Sequence, residues 1–93
     1  MNEPNRSADT AAKGADSDAL IKQWRASGSG VERIAAELAA KIASGQMRRW
    51  DELPPRVDLA SEYRVSERTV TRANGLLADH GFLAKTGRRY YVA

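Results

Sequence analysis

Apolar positions recur at helical spacing from Val31 onward. Val31, Ile34, Ala35, Leu38 and Ile42 fall on one face, the stripe that an amphipathic helix buries. Ser29 and Glu32 have the S-x-x-E spacing of a capping box, and Ser44-Gly45 supplies a stop, so the pattern predicts a first helix between them. Gln46 to Leu53 is too short and irregular for a helix; a brief strand is expected around Trp50, with its ring on the first helix. Pro54-Pro55 breaks the chain and can open a second helix with Pro55 at its first position. Leu59, Ala60 and Tyr63 mark that helix, and Tyr63-Arg64-Val65 turns into a third. Ser66 caps the third helix, Val70, Ala73 and Leu77 give it a buried stripe, and it ends at His80-Gly81, with His80 placed against the final carbonyls.

The opposite stripe of the third helix is Arg68, Thr71, Arg72 and Gly75. A short helix with an apolar back and a basic, hydrogen-bonding front fits a DNA major groove. There Arg68 and Arg72 can reach guanine edges, each bidentate contact worth about 1–3 kcal/mol in discrimination, or phosphates. The alternative is a solvated pair with Glu67 or Glu62, worth about 0.3–0.5 kcal/mol. Glu67 can accept from a cytosine amino group, or it can favour the positive helix N-terminus and orient Arg68. Ser66 and Thr69 can donate to a phosphate at the same end, beside the capping role of Ser66.

Beyond Gly81 the period changes. Phe82-Leu83-Ala84-Lys85 and Arg89-Tyr90-Tyr91-Val92 are β-prone around Thr86-Gly87-Arg88, which predicts a hairpin. Its tip residues Thr86, Gly87, Arg88 and Arg89 can follow a phosphate ridge or enter a minor groove. Helix, short strand, helix, turn, helix, hairpin is the order of a winged helix-turn-helix. The expected class is therefore mainly α with a small β-hairpin, three helices plus a wing. Tyr63, Phe82 and Tyr91 are expected in its core.

Upstream, residues 1 to about 15 lack apolar periodicity, which predicts disorder. Residues 16–26 can form a short helix capped by Asp16 or Ser17, with Leu20, Ile21 and Trp24 on one side. Trp24 then either docks on the domain or serves a dimer contact. Ser27-Gly28-Ser29-Gly30 reads as a joint. The expected division is a flexible tail over 1–28 and a DNA-binding domain over 29–93.

Composition narrows the chemistry. The 93-residue chain has no cysteine and one histidine, His80, which removes disulfides and thiol catalysis and leaves a zinc site or Ser-His-Asp triad almost nothing to use. Asp51-Glu52 is an acidic pair without a metal-binding companion, so no enzyme, cofactor or metal is expected. No N-terminal apolar run suggests a signal peptide or membrane span, and a cytoplasmic, nucleoid-associated protein is expected. The net charge is +3. Up to Gly30, Arg6, Lys13, Lys22 and Arg25 balance Glu3, Asp9, Asp16 and Asp18, so the surplus lies beyond, and the clustering of arginines on one helix face and one loop favours a polyanion.

The run from Val31 to Val92 resembles the DNA-binding domain of the GntR family of bacterial transcription regulators. The resemblance rests on Ile34 and Leu38, Ser44-Gly45, Leu53-Pro54, Leu59-Ala60, Val65-Ser66, Thr69-Val70 and Ala73. It continues through Leu76 or Leu77, Gly81, Gly87 and Tyr91-Val92. The chain departs from the family pattern at Arg49-Trp50, where Pro-Gly is usual, and at Pro55-Arg56-Val57, where Ser-Glu-Arg or similar is usual. Arg56 thus stands one residue ahead of an arginine that often touches DNA in the family. Glu67 and Thr71 occupy positions where arginine is common, with Arg68 and Arg72 beside them.

What the resemblance implies is a sequence-specific transcriptional regulator, a repressor occupying a promoter, with helix 66–79 in the major groove and wing 84–90 on the backbone or minor groove. It also implies a homodimer on a palindromic operator of double-stranded DNA. In the family a C-terminal domain binds the metabolite; this sequence stops at the wing, so no ligand is implied, and a stand-alone module and a piece of a longer regulator both remain open. A different class compatible with Glu67 and Thr71 is an architectural or adaptor winged-helix protein, excisionase-like, plasmid-maintenance or protein-binding.

Overall fold

The computed structural model describes residues 17–93; the expectations for residues 1–15, and for Asp16 as a cap, lie outside them. Residues 17–26 form helix α1. The remaining elements are α2 (Gly30–Ala43), α3 (Arg56–Tyr63), α4 (Glu67–Asp79), β1 (Leu83–Thr86) and β2 (Arg89–Val92). Among the described residues no helix is long and apolar enough to cross a membrane.

Helix α2 starts where its cap predicts. Ser29 Oγ accepts from the Glu32 N–H at 3.4 Å. The reciprocal half of the capping box is not formed, because the Ser29 N–H donates to Ser27 Oγ at 2.9 Å instead. Ile34, Leu38, Ala35, Ala36 and Ala39 are buried, and the small alanines widen the apolar stripe and allow close packing of neighbours. Helix α4 is the centre of the fold and packs on α2, α3 and β1. Its Val70 and Leu77 are fully buried together with Leu38, Leu59 and Val92. The helix ends in a Schellman motif: Gly81 has φ 81°, Phe82 N–H donates to Leu77 C=O at 2.9 Å, and Gly81 N–H donates to Ala78 C=O at 3.1 Å. Only glycine takes that backbone without a Cβ penalty.

Pro55 sits one place outside its expected position, as the N-cap of α3, with Arg56 the first helical residue. With φ −55° and ψ 147°, Pro55 is extended, and its ring fixes the direction from which the helix begins.

The core reaches further back than the expected boundary at Ser29. Ile21 and Trp24 are 6% and 2% exposed and belong to the same cluster as Leu38 and Leu77. The Trp24 ring lies edge-on to His80 at 5.3 Å and tilted against Phe82 at 6.1 Å, so of its two expected roles the packing shows docking. The His80 ring therefore packs on Trp24 rather than on the terminal carbonyls of α4.

Strands β1 and β2 pair antiparallel, Leu83 opposite Val92 and Thr86 opposite Arg89. Gly87, with φ 62°, begins the two-residue tip, the position where a type II′ turn requires glycine. Alternation puts Tyr90 on the same face as buried Val92, and it is Tyr90, not the expected Tyr91, that packs against the core. In place of the strand expected around Trp50 there is an isolated antiparallel bridge, Glu52 opposite Tyr91, that extends the edge of β2. Trp50 N–H donates to Val92 C=O at 2.8 Å, Val92 N–H to Asp51 C=O at 2.9 Å, and Leu53 N–H to Tyr90 C=O at 2.9 Å.

The Trp50 side chain is not on the first helix. It is 66% exposed and has φ 74°, with the Arg49 guanidinium 5.5 Å from its ring centre. The cause is the turn at 48–51, closed by Asp51 N–H to Arg48 C=O at 2.9 Å and by Arg48 N–H to Asp51 Oδ2 at 2.8 Å. Trp50 occupies the third turn position, which at positive φ favours glycine. Because little packing is at stake, Trp50→Gly is expected to relieve about 1–2 kcal/mol of left-handed backbone strain against about 0.5–1 kcal/mol of glycine's chain entropy, a small net rise in unfolding free energy read by urea denaturation; a loss of stability would contradict the strain.

Candidate nucleic-acid interface

The turn between α3 and α4 is set by Arg64, a left-handed residue with φ 58°, and by Val65 N–H to Ala60 C=O at 3.0 Å. It delivers Ser66 in extended backbone, where its Oγ accepts from the Thr69 N–H at 3.1 Å. The Ser66 and Thr69 hydroxyls also meet at 3.0 Å. The capping role of Ser66 is therefore present, and Thr69 is half-buried beside it. With Val70, Ala73, Asn74 and Leu77 turned inward, Arg68, Thr71 and Arg72 are exposed and Gly75 is half-buried. A solvent-facing basic front on a helix fixed by its apolar back is the arrangement the periodicity predicted.

Glu67 and Arg56 do something the sequence did not show. Arg56 Nε lies 3.3 Å from Glu67 Oε1, and Arg56 Nη1 donates to Thr71 Oγ1 at 3.2 Å. Thr71 in turn donates its hydroxyl to the Glu67 carbonyl at 3.0 Å. Glu67 is thus the partner of Arg56, not of Arg68, and Glu62 pairs with Lys41 at 3.6 Å. Among the described residues Arg68, Arg72 and Arg88 have no ion pair, which leaves their guanidinium groups available to an external anion.

The wing completes the surface. Between the start of α3, the middle of α4 and the hairpin lies an open cleft of about 710 Å³, lined among others by Arg56, Thr71, Asn74, Lys85, Arg88 and Arg89. It joins four of the predicted residues, Arg56, Thr71, Arg88 and Arg89; Ser66, Glu67, Arg68, Thr69, Arg72, Thr86 and Gly87 lie outside its lining. Arg89 is held by Glu52 at 3.4 Å, whereas the Lys85 ammonium sits 5.7 Å from the Tyr90 ring centre.

Lys85 and Asn74 escaped the sequence reading. A signal existed for each. Asn74 is the polar member of the inward stripe of α4, and its buried Oδ1 has no hydrogen-bond partner. Lys85 shares a strand face with Leu83, yet only the register opposite Tyr90 puts it beside the cleft.

Among the described residues no group of three His, Cys, Asp or Glu side chains could hold a metal ion. The elements and their order define a winged helix-turn-helix, with α4 in the place of the recognition helix and β1–β2 as the wing. Residues 30–92 match the family model for bacterial regulatory proteins of the gntR family, and the chain belongs to that family. It is similar in structure to YtrA from Sulfolobus acidocaldarius, a GntR-family transcription factor, at 37% identity and a TM-score of 0.63, over 67% of this chain and 66% of YtrA. A second solved structure, of a GntR-family transcriptional regulator, aligns at 27% identity and a TM-score of 0.63 over 68% of this chain and 25% of the other. The match therefore spans under two thirds of YtrA and a quarter of the second protein. No curated protein matches the chain.

Proposed function

We propose that this protein is a sequence-specific transcriptional regulator that binds double-stranded DNA and represses by occupying a promoter. Helix α4 lies in the major groove with Arg68 and Arg72 toward base edges and phosphates, while Ser66 and Thr69 donate to phosphate at its N-terminus. The wing residues Thr86, Gly87, Arg88 and Arg89 follow the adjacent backbone or minor groove. The observation that carries this reading is the placement of Arg68 and Arg72 on the exposed helix front and of Arg88 beside the cleft, each without an ion pair among the described residues. Guanidinium groups without carboxylate partners, fixed on rigid elements, are what a phosphate ridge recruits. YtrA, described as a transcription factor, supports the same role for this chain. The protein acts as a homodimer on a palindromic operator, in the cytoplasm at the nucleoid.

The architectural or adaptor reading drew on the acidic Glu67 at the helix front. That carboxylate is paired with Arg56, so its repulsion of DNA is weakened, which counts against a winged helix that binds protein only.

The test is selection of bound sequences from a random duplex pool, followed by titration against the winner across a salt series. A palindromic winner whose affinity falls steeply with salt, with a slope near −0.9 per phosphate contact, is expected. Retention of no duplex, or binding indifferent to salt, would sink the reading. Arg88→Ala is expected to weaken all duplexes alike and to reduce the salt slope by about 1; base-selective weakening would instead move Arg88 from the backbone to a base.

A further inference from the structure

We propose that Glu67 and Thr71 are positioning residues for Arg56, and that Arg56, supplied by α3, reads a base on behalf of α4. The inference rests on the DNA-binding function proposed above and assigns within it the residue that sets one position of the operator.

Three observations carry it. Arg56 is gripped from two sides, its Nε by the Glu67 carboxylate at 3.3 Å and its Nη1 by the Thr71 hydroxyl at 3.2 Å. Thr71 spends its own proton on the Glu67 carbonyl at 3.0 Å, so its oxygen is left as an acceptor pointed at the guanidinium. A guanidinium carries five N–H donors; two are engaged here, which leaves three for a ligand.

The second observation is where the chain enters. Arg56 is the first residue of α3, directly after Pro55, so its backbone is held by a ring-fixed residue rather than by a free loop. Glu67 and Thr71 are one turn apart on α4 and share its face. The grip therefore fastens the side chain of one helix over the front of the other.

The third is electrostatic. An ion pair has nearly no net charge at a distance, so Arg56 beside Glu67 contributes little to the general attraction of phosphates. What it retains is directional donors in a fixed place. That combination suits a guanine edge, whose O6 and N7 take a bidentate donor pair, while it forgoes most of the long-range attraction that draws a net positive charge to phosphates. Arg68 and Arg72, without ion pairs among the described residues, keep the electrostatic role as well as any base contact.

The experiment uses the wild-type chain and the variants Arg56→Ala, Thr71→Val, Thr71→Ser and Glu67→Gln, each confirmed as folded by thermal melting. Each is titrated against the selected duplex and its single-base-pair substitutions at several salt concentrations. Arg56→Ala is expected to reduce discrimination at one base pair about tenfold or more and to leave the other preferences intact. Thr71→Val should flatten the same base pair, and Thr71→Ser, which keeps the hydroxyl, should restore it. Glu67→Gln should blunt that preference while strengthening binding to every duplex. The proposal is overturned if Arg56→Ala keeps all base preferences and only lowers the salt slope, which would make Arg56 a phosphate contact. It is overturned equally if Thr71→Val alters a different base pair, which would make Thr71 a direct reader. A wild-type chain that retains no duplex brings down the function itself, and that outcome is separate from both.

Discussion

Replacing Trp24 by alanine is expected to lower the unfolding free energy by about 3–5 kcal/mol, the cost typical of truncating a buried tryptophan. The ring is 2% exposed and touches the end of α4 through His80 and the start of the wing through Phe82. A small domain has about 5–15 kcal/mol in total, and each kcal/mol shifts its melting midpoint by roughly 4–8 °C. The drop should therefore be at least about 10 °C, read by circular dichroism at 222 nm. A change below about 1 kcal/mol would mean that α1 does not hold to the domain in solution.

The second large effect falls on binding. Arg72→Ala should weaken the selected operator by about 1–3 kcal/mol, roughly five- to 150-fold, with the melting temperature nearly unchanged. Arg72 is exposed, and no described carboxylate lies within ion-pair distance of it, so its removal leaves no buried partner orphaned. A variant that binds the operator like wild type would remove Arg72 from the contact surface. Measuring against both operator and scrambled duplex separates a base contact, which lowers only the first, from a phosphate contact, which lowers both.

How much of this was legible follows from the range of each signal. The start of α2, the cap of α4, the Gly81 exit and the Gly87 tip all depend on residues within a few positions of one another, and each stands where local chemistry put it. Trp50 misled because a large aromatic is expected inside, whereas a tight turn with a left-handed third position turned it outward. Tyr90 and Tyr91 differ only in strand parity, which a single-residue shift of register inverts. Trp24 lay outside the family resemblance, on a helix whose packing partners come from the far end of the chain. For Arg56 the obstacle was distance: its partners Glu67 and Thr71 stand 11 and 15 residues away, on another helix, and no periodicity links them. The basic face of α4 was visible in the chain; the guanidinium laid across it was not.

The bonds between residues 50–53 and the closing strand have a temporal consequence. They join positions about forty residues apart, and a loop of that size closes at an entropic cost that only native packing offsets. Local helices can form while the polypeptide is still being made, but the Trp50 and Leu53 N–H groups and the Asp51 carbonyl do not meet their partners until Tyr90 and Val92 have left the ribosome. Synthesis therefore passes through a stage in which the helical part of the domain has emerged while the Leu53 N–H still lacks its Tyr90 partner. Within this domain the wing is the last part made, and it supplies that missing partner.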